Sequence, residues 1–221
     1  MTVSTGTNPE NNPKMIIVIG AGGHAKVVID ILFESDFGGY VAGAIDNTPT
    51  TVGKALGKTK IIGDDSILST LLPAQYQFIV AIGDNEVRSA LFKTWKGSGF
   101  NAMSSIHPKS TISDSVSIGE GTAIMAGAVI NCDSVIGDNV IINTNATVDH
   151  DVKIGSHAHI APGSHLAGRI SVGEGAFIGT GATILPGIEI GSWAIIGAGS
   201  TVTRDVLPNR TVWGVPAKLQ N

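Results

Sequence analysis

The sequence is poor in cysteine, aromatic residues and charge, and each shortage excludes a class of protein. A single cysteine, Cys132, among 221 residues cannot form a disulfide within the chain, so a disulfide-stabilised fold is excluded. Aromatic residues make up only 5% of the chain, so the core must be mainly aliphatic. The net charge is -4 and only 14% of the residues are charged, which provides no basic surface for nucleic acid or anionic lipid.

Long apolar segments are also lacking. No run of 18 apolar residues occurs, so the sequence predicts no membrane-spanning helix. Residues 1–14 are polar and lack the apolar stretch of a signal peptide, and we interpret them as a flexible tail. These features predict a cytoplasmic protein. Cys132 has no histidine at a recognisable spacing, so a small buried residue is expected there rather than a nucleophile.

What the sequence does contain is an aliphatic residue at every sixth position from Ile106 to Val202. A period of six fits neither an α-helix nor a simple β-strand, but it fits a short strand and a turn repeated around a prism. If three hexads complete one coil, residues 18 apart stack into aliphatic ladders. The predicted ladders are Ile118, Ile136, Ile154, Val172 and Ile190; Ile124, Ile142, Ile160, Ile178 and Ile196; and Ile112, Ile130, Val148, Leu166, Ile184 and Val202.

The preceding region alternates between strand-like and helix-like patterns, which predicts a small parallel α/β domain. A helix over residues 84–96 is expected to bury Val87, Leu91 and Trp95 on one face. The predicted strands are residues 15–20, 40–45, 77–82 and 100–105, and the other predicted helices are residues 24–33 and a short one that ends at residue 72. The chain thus divides into a tail (1–14), an α/β domain (15–105), a repeat coil (106–207) and a C-terminal segment (208–221).

A glycine-rich turn, GAGGHA at residues 20–25, joins the first strand to the first helix. Glycines let a backbone approach a phosphate closely, and the helix N-terminus supplies unpaired N–H groups. Asp46 ends the second strand, where a ribose-binding residue is expected. A dinucleotide site needs a full double sheet, so a mononucleotide or sugar-nucleotide site fits the short domain better. A tight turn without a ligand is the remaining alternative.

Four histidines lie within the coil and a fifth, His107, lies at its edge; His150 stands out because it falls at a turn position between Asp149 and Asp151. A neighbouring carboxylate can fix the tautomer of an imidazole and strengthen it as a general base. The alternatives are a structural histidine and a zinc site. The gaps between His150, His157, His159 and His165 are seven, two and six residues, and no pair five apart supports a zinc site.

Four motifs occur in order: GAGGHAKV (20–27), AIGDNEVR (81–88), VDHD (148–151) and GVPAK (214–218). Together with the hexad period, they resemble the bacterial sugar-nucleotide N-acetyltransferases, which include enzymes acting on UDP-4-amino sugars and on GDP-perosamine. The sialic acid O-acetyltransferases are more distant relatives. The resemblance implies a Rossmann-like parallel sheet domain followed by a left-handed parallel β-helix. It also implies a homotrimer with sites between subunits, which agrees with a coil that holds only ten charged side chains over residues 112–202.

The resemblance further implies a role for individual residues. His150 is similar to the family's general base and Asp151 to its partner acid, although some relatives carry Glu there. The positions similar to the family's nucleotide-sugar site are Gly22, Gly23, His24, Asp46, Asn47, Asn143 and Asp149. His159 and the Gly168 N–H resemble groups that contact the acetyl-CoA thioester, whereas Thr180 and Ala198 match positions along the CoA channel.

The implied reaction is acetyl transfer from acetyl-CoA to the 4-amino group of a nucleotide-linked 4-amino-4,6-dideoxy sugar, GDP-perosamine or a UDP-4-amino sugar. Such a reaction serves surface polysaccharide, lipopolysaccharide or glycan synthesis, and no metal is expected. Three alternatives remain open: O-acetylation of a sugar hydroxyl by the same groups, a zinc-dependent hydratase, and a scaffold that binds nucleotide sugar without catalysis.

Overall fold

The computed structural model describes residues 13–48 and 51–220, and most of the tail predicted for residues 1–14 lies outside the described residues. The described chain has an α/β domain that packs on the side of a parallel β-helix. No helix among these residues is long and apolar enough to cross a membrane. Cys132 is exposed, so the expectation of a buried cysteine is wrong. It lies in a turn between two coil strands, where the side chain points away from the aliphatic core.

The α/β domain is built on a six-stranded sheet in the order β3-β4-β2-β1-β5-β6. All neighbours are parallel except the β3–β4 hairpin. The strands are β1 Met15–Ile19, β2 Val41–Ile45, β3 Ala55–Leu56, β4 Thr59–Gly63, β5 Tyr76–Val80 and β6 Asn101–Ala102. The predicted strands are confirmed, although the last one is found only as the two residues of β6. Two strands were not predicted: β3, which has two residues, and β4, whose five residues show little apolar periodicity.

Two α-helices cover the sheet, α1 at Gly23–Glu34 and α2 at Asn85–Gly97, with short 3-10 helices at Gly38–Tyr40 and Asp65–Thr70. Asp84 caps α2 by accepting a hydrogen bond from the Val87 N–H at 2.9 Å. The predicted helices are confirmed, but the predicted apolar face of α2 is partly wrong. Trp95 is buried, whereas Val87 is 47% exposed and Arg88 beside it is only 1% exposed.

From Ser105 to Val202 the coil consists of short strands, each hydrogen-bonded to the strand 18 residues away, so the three predicted ladders are confirmed. We call its sides the first, second and third face. The first face comprises Ser105–Ile106, Ala123–Ile124, Ile141–Ile142, His159–Ile160, Phe177–Ile178, Ile195–Ile196, Thr211–Trp213 and the antiparallel Lys218–Leu219. The second face comprises Thr111–Ile112, Val129–Ile130, Thr147–Val148, His165–Leu166, Thr183–Ile184 and Thr201–Val202. The third face comprises Ser117–Ile118, Val135–Ile136, Lys153–Ile154, Ser171–Val172 and Glu189–Ile190.

The turns between faces form three edges, which we number by the face that precedes them: the first edge joins the first and second faces. Many turns contain a residue with positive φ, such as Asn145 on the first edge, Asp151 on the second and His157 on the third. The left-handed conformation reverses the chain within a few residues, and Gly, Asn and Asp tolerate it best. The stacked aliphatic side chains point inward and form the continuous core of the prism.

The α/β domain packs on the first face and third edge of the coil. Buried residues of α1, including Val28 and Leu32, share a core with Met125 and Ile141 of the first face. Helix α2 meets the third edge, where the Asn85 side chain donates to the Gly175 and Ala176 carbonyls at 3.0 and 3.2 Å. The glycine-rich turn is thereby held against the coil.

Candidate active site

His150 lies on the second edge, and its ring is fixed by the residue that follows it. Its Nδ1 lies 2.7 Å from Oδ2 of Asp151, whose backbone has a positive φ of 58°. An ionised carboxylate can only accept a hydrogen bond, so Nδ1 carries the proton and Nε2 keeps a free lone pair. The His150 side chain is 42% exposed. The geometry therefore provides an oriented, accessible imidazole that can take up a proton.

Asp149 stabilises the turn that presents this imidazole. Its Oδ1 accepts hydrogen bonds from the His150 N–H at 2.8 Å and from Nδ2 of Asn131 at 2.9 Å. These bonds, with that of Asn131 the stronger influence, hold the pKa of the Asp149 carboxyl below its usual range. Asp149 is therefore an anion beside the candidate base, and it contributes to the geometry of the edge.

Gly168 lies one coil above His150 on the same edge, and it is buried. A Cβ atom added at Gly168 would come within 2.7 Å of both Cε1 and Nε2 of the His150 ring. The ring thus rests on a glycine because no other residue leaves room for it. Within residues 13–48 and 51–220, the Gly168 N–H donates to no protein acceptor, so it is free to bind an oxygen atom beside His150.

His159 has a contrasting environment on the first face, where it is 8% exposed. Its Nδ1 lies 3.3 Å from the Gly83 carbonyl, and its Nε2 lies 3.1 Å from Nδ2 of Asn143. The Asn143 Oδ1 accepts from the Thr144 N–H, so the amide NH2 must face the ring. Both bonds form only if His159 is neutral and carries its proton on Nδ1.

The His159 ring is held in this neutral state by its surroundings. Burial, and then the positive charge of Arg88, lower the pKa of His159 to about 3. Because both nitrogens are occupied, neither is available to bind a thioester directly in this structure. The contact expected between His159 and acetyl-CoA stays a prediction, and in this structure Nε2 of His159 accepts a hydrogen bond from Asn143.

The glycine-rich turn exposes Gly22 and Gly23 at the N-terminus of α1, with open space beside both α-carbons. No side chain caps this helix end, so its first N–H groups can bind an anion. His24 points instead toward the coil, where its buried Nε2 has no protein partner among the described residues. Burial, and then Arg88, lower the pKa of His24 to about 4, so it is neutral at physiological pH.

Asp46 and Asn47 both form contacts within the α/β domain. Asp46 accepts from the Ala21 N–H at 3.0 Å and from the Thr48 N–H at 2.9 Å, so it fixes the glycine-rich turn. The side-chain hydroxyl of Thr48 foremost, and then these two N–H groups, lower the pKa of the Asp46 carboxyl. The Asn47 side chain is bonded to Asp65 through both its oxygen and its nitrogen. Asp46 retains oxygen lone pairs for a ligand, whereas Asn47 serves mainly as a clip between two loops.

Thr180 and Ala198 are exposed on the first edge, in the same stack of turns as Asn143. The Gly199 N–H donates to the Thr180 carbonyl at 2.8 Å, which shows the regular stacking of these turns. His150 and Gly168, in contrast, lie on the second edge, with the whole second face between them and the first. Within one protomer the structure thus separates the predicted base from Asn143 and from the predicted CoA positions.

Several residues of these sites were not identified from the sequence. Asn131 lies 18 residues before Asp149, and the period of the coil would have revealed that pair. Arg88 and Gly83 could not be found in this way, because they come from the α/β domain and reach the coil only in the folded protein. Among the described residues, no group of three or more His, Cys, Asp or Glu side chains lies close enough together to hold a metal ion.

Two family models match the chain. The PglD N-terminal domain matches residues 15–95, and the bacterial transferase hexapeptide model, which covers six repeats, matches residues 133–168 and 169–204. The expected fold, a Rossmann-like sheet followed by a left-handed β-helix, is confirmed.

Similar proteins have been characterised in bacteria. UDP-N-acetylbacillosamine N-acetyltransferase of Bacillus subtilis (strain 168) is 38% identical over 115 residues, which is 51% of this chain and 52% of the relative, so the match spans about half the length of each. A histidine mutant of perosamine N-acetyltransferase from Caulobacter crescentus, solved with CoA and GDP-perosamine, is 44% identical with a TM-score of 0.88 and covers 95% of this chain and 98% of its own. The acetyltransferase domain of PglB from Neisseria gonorrhoeae FA1090, solved with acetyl coenzyme A, is 38% identical with a TM-score of 0.87, over 95% of this chain and all of the other.

Proposed function

Since this chain belongs to the hexapeptide-repeat sugar-nucleotide N-acetyltransferases, we propose that it transfers acetyl from acetyl-CoA to the 4-amino group of a nucleotide-linked 4-amino-4,6-dideoxy sugar. The observation that carries this proposal is the arrangement of His150, whose Nδ1 is held by Asp151 and whose Nε2 is accessible over Gly168. GDP-perosamine and UDP-4-amino sugars are the substrates to test first, because similar proteins act on them. The product would enter surface polysaccharide, lipopolysaccharide or glycan synthesis.

The reaction is a direct transfer without a covalent enzyme intermediate. The neutral amine attacks the thioester carbonyl, and His150 accepts the proton that the nitrogen loses. The Gly168 N–H, which donates to no protein acceptor among the described residues, is placed to stabilise the oxyanion of the tetrahedral intermediate. The carbon–sulfur bond then breaks, CoA leaves as a thiolate, and the N-acetylated sugar nucleotide is released. Asp151 keeps the His150 ring in the required tautomer throughout.

The sugar nucleotide is proposed to bind where the α/β domain meets the coil. The open N-terminus of α1 at Gly22 and Gly23 suits a diphosphate, and Asp46 lies beside the same turn. His24 of the α/β domain and Asn143 of the coil are proposed to line this site where the two parts meet. Acetyl-CoA is proposed to run along the first edge past Thr180 and Ala198, whose exposed positions form a strip of small side chains.

A homotrimer would bring these separated groups together. In one protomer, His150 lies on the second edge, whereas Asn143, Thr180 and Ala198 lie on the first. A site that contains both sets is complete only if the second edge of one subunit meets the first edge of the next. The sparsely charged second face, which carries Val129, Thr147 and His165, offers a surface for this contact.

Assays with acetyl-CoA and purified protein test the activity. The donor panel contains GDP-, UDP-, CMP- and dTDP-linked 4-amino sugars, each paired with its 4-hydroxy counterpart, and CoA release is measured. We expect turnover with an amino sugar and none with its hydroxyl partner. Turnover of the hydroxyl sugar alone would establish O-acetylation instead, and absence of CoA release with every acceptor would favour a binding scaffold.

Mixed trimers test the shared site. His150→Ala and Asn143→Ala chains, each first shown to be inactive alone, are co-expressed with different tags and purified through both. If the two residues act across a subunit boundary, every trimer that carries both tags has one intact site among its three, and activity returns to about a third of wild type. If both residues act within one subunit, every site lacks one group and the mixture stays inactive.

The proposed location is the cytoplasm, where acetyl-CoA is made. The exposed thiol of Cys132 is compatible with a reducing compartment. Fractionation of cells that carry a tagged copy of the gene would locate the protein.

A further inference from the structure

Arg88 is a buried cation that forms no ion pair with a carboxylate among the described residues, although the charge of Asp84 favours its protonated state. It is 1% exposed, and five backbone carbonyls surround its guanidinium. Nη1 donates to Ile82 and Gly83, both at 3.2 Å, and Nε donates to Asn139 at 3.2 Å. Nη2 donates to His157 at 2.6 Å and to Ala158 at 3.3 Å.

These carbonyls come from two parts of the molecule. Ile82 and Gly83 belong to the loop that leads into α2, whereas Asn139, His157 and Ala158 belong to the third edge of the coil. Arg88 therefore joins the α/β domain to the coil through the interior. A planar guanidinium with five fixed donors can satisfy such a set, whereas an ammonium group has three donors and a different geometry.

One of the five carbonyls leads directly to the candidate site. Gly83 accepts both from Arg88 and from Nδ1 of His159, and Nε2 of His159 then accepts from the Asn143 amide. We propose that Arg88 is a positioning residue, which fixes the Gly83 carbonyl and thereby holds His159 in one neutral tautomer so that Asn143 is oriented toward the sugar nucleotide. This inference rests on the proposed function for its kinetic consequence, but the state of His159 can be measured without turnover.

The charge of Arg88 has a function separate from its hydrogen bonds. The charged and titratable groups that face His159 are Arg88 from α2 and His24 from α1, and both oppose protonation of the ring. A proton on Nε2 of His159 would point at the NH2 group of Asn143, where two donors cannot bond. The buried cation therefore keeps the ring in the state that the Asn143 contact requires.

Three variants separate the charge, the hydrogen bonds and the general docking of α2. Arg88→Gln removes the charge and most of the donors, Arg88→Lys keeps the charge, and Asn85→Ala removes another contact between α2 and the third edge without touching Gly83 or His159. For Arg88→Gln we expect kcat/KM for the sugar nucleotide to fall about 10- to 100-fold, as for loss of buried polar contacts, with little change in KM for acetyl-CoA. The kcat/KM of Arg88→Lys should lie between those of Arg88→Gln and wild type. The kcat/KM of Asn85→Ala should resemble that of wild type.

The pH profile distinguishes positioning from loss of structure. In Arg88→Gln, protonation of His159 becomes easier, so kcat/KM for the sugar nucleotide should begin to fall at a higher pH than in wild type. Arg88→Lys and Asn85→Ala should keep the wild-type acid limb. If all three variants lose activity alike with one common pH profile, Arg88 contributes only to docking and the proposal is wrong.

Nitrogen NMR of 15N-histidine-labelled full-length protein measures the ring directly, and it also serves if Arg88→Gln does not fold. Wild type should show His159 neutral with the proton on Nδ1, assigned by comparison with His159→Gln. In Arg88→Lys, the Nδ1 resonance should shift because the shared Gly83 carbonyl moves. An unchanged His159 signal in Arg88→Lys, or the opposite tautomer in wild type, would overturn the proposal whether or not the protein acetylates a sugar.

Discussion

The second edge and the first face of the coil each present a histidine, and the two have opposite surroundings. His150 on the second edge is 42% exposed, bonds through one nitrogen to Asp151 and leaves the other free. His159 on the first face is 8% exposed and uses both nitrogens in contacts with Gly83 and Asn143. One coil of repeated hexads therefore presents a histidine that can exchange a proton and another that cannot.

This difference follows from what covers each part of the coil. The α/β domain packs on the first face, so its loops contribute Gly83 and Arg88 to the environment of His159, and burial lowers the pKa of that ring to about 3. Among the residues that the structure describes, no group of the α/β domain forms a hydrogen bond with the His150 ring, whose partner is Asp151. Function is thus assigned by the neighbours of a histidine rather than by its place in the hexad.

The largest expected effect is that of removing the free imidazole. His150→Ala should lower kcat by about 10²- to 10⁴-fold, because it removes the general base. Its free energy of unfolding should change by no more than about 0.5 kcal/mol, since the side chain is at the surface. Steady-state kinetics and chemical denaturation measure the two quantities. Near-normal turnover would show that the second edge has no part in proton transfer.

Crowding the same ring should have the next largest effect. Gly168→Ala places a Cβ within 2.7 Å of the ring, so His150 must move, and we expect kcat to fall about 10- to 100-fold. Gly187→Ala is the matched control, because Gly187 is one coil higher on the same edge and has open space beside it. That control should lose about 1 kcal/mol of stability through its positive φ but keep kcat. Equal activity losses in the two variants would contradict the close fit of ring and glycine.

The buried histidine should instead be visible in the pH dependence of stability. The pKa of His159 is about 3 in the folded protein against 6.5 without the fold, so the unfolded chain binds more protons below pH 6.5. The stabilisation that comes from the lowered pKa of His159 is complete above pH 6.5 and is lost as the pH falls. At pH 5 the free energy of unfolding should be lower by about 2 kcal/mol per chain.

Denaturation at pH 7 and pH 5 tests this linkage. His159→Gln should reduce the pH dependence, whereas Phe177→Leu, which removes the aromatic contact with His159 but no titrating group, should keep it. His24, with a pKa lowered to about 4, acts in the same direction and accounts for part of the remaining slope. An unchanged slope in His159→Gln would show that this ring is not held neutral.

The smallest effect is expected from the exposed ion pairs between α2 and the coil. Lys93 and Glu174 are 3.4 Å apart, and their side chains are 62% and 47% exposed. Glu174→Gln should change the free energy of unfolding by less than about 0.5 kcal/mol, because solvent screens such pairs. A loss of about 2 kcal/mol or more would mean that this surface ion pair contributes substantially to holding the α/β domain on the coil.

The sequence predicted the stacking of the coil strands in detail because every hexad repeats the same pattern of apolar and polar residues. An aliphatic residue at every sixth position must point inward, and residues 18 apart must then pair, as Ile142 and Ile160 do. The same arithmetic places Asn131 under Asp149 and His150 under Gly168, so part of the second edge could be read from spacing. The assignment to sugar-nucleotide N-acetyltransferases, made from ordered motifs, is confirmed, whereas the roles of single site residues stay predictions.

The α/β domain was predicted less completely, and α2 shows why. Helical periodicity placed Val87 on the buried face and did not include Arg88 there, but Val87 is exposed and Arg88 is buried. Periodicity records only apolar burial, whereas Arg88 is buried by hydrogen bonds to carbonyls that lie up to 70 residues away. Similarly, nothing in the spacing of His24 indicated that it turns toward the coil.

The sequence by itself determined the stacking of the coil, the alternating elements before it and the pairing of His150 with Asp151, because these depend on residues close in sequence or on a fixed period. Only the tertiary structure decided that His159 is neutral and bonded on both sides, and that Arg88 is buried against the coil. The physical reason is that burial and hydrogen bonding between distant segments depend on how the α/β domain docks on the coil. No local pattern of residues encodes that docking.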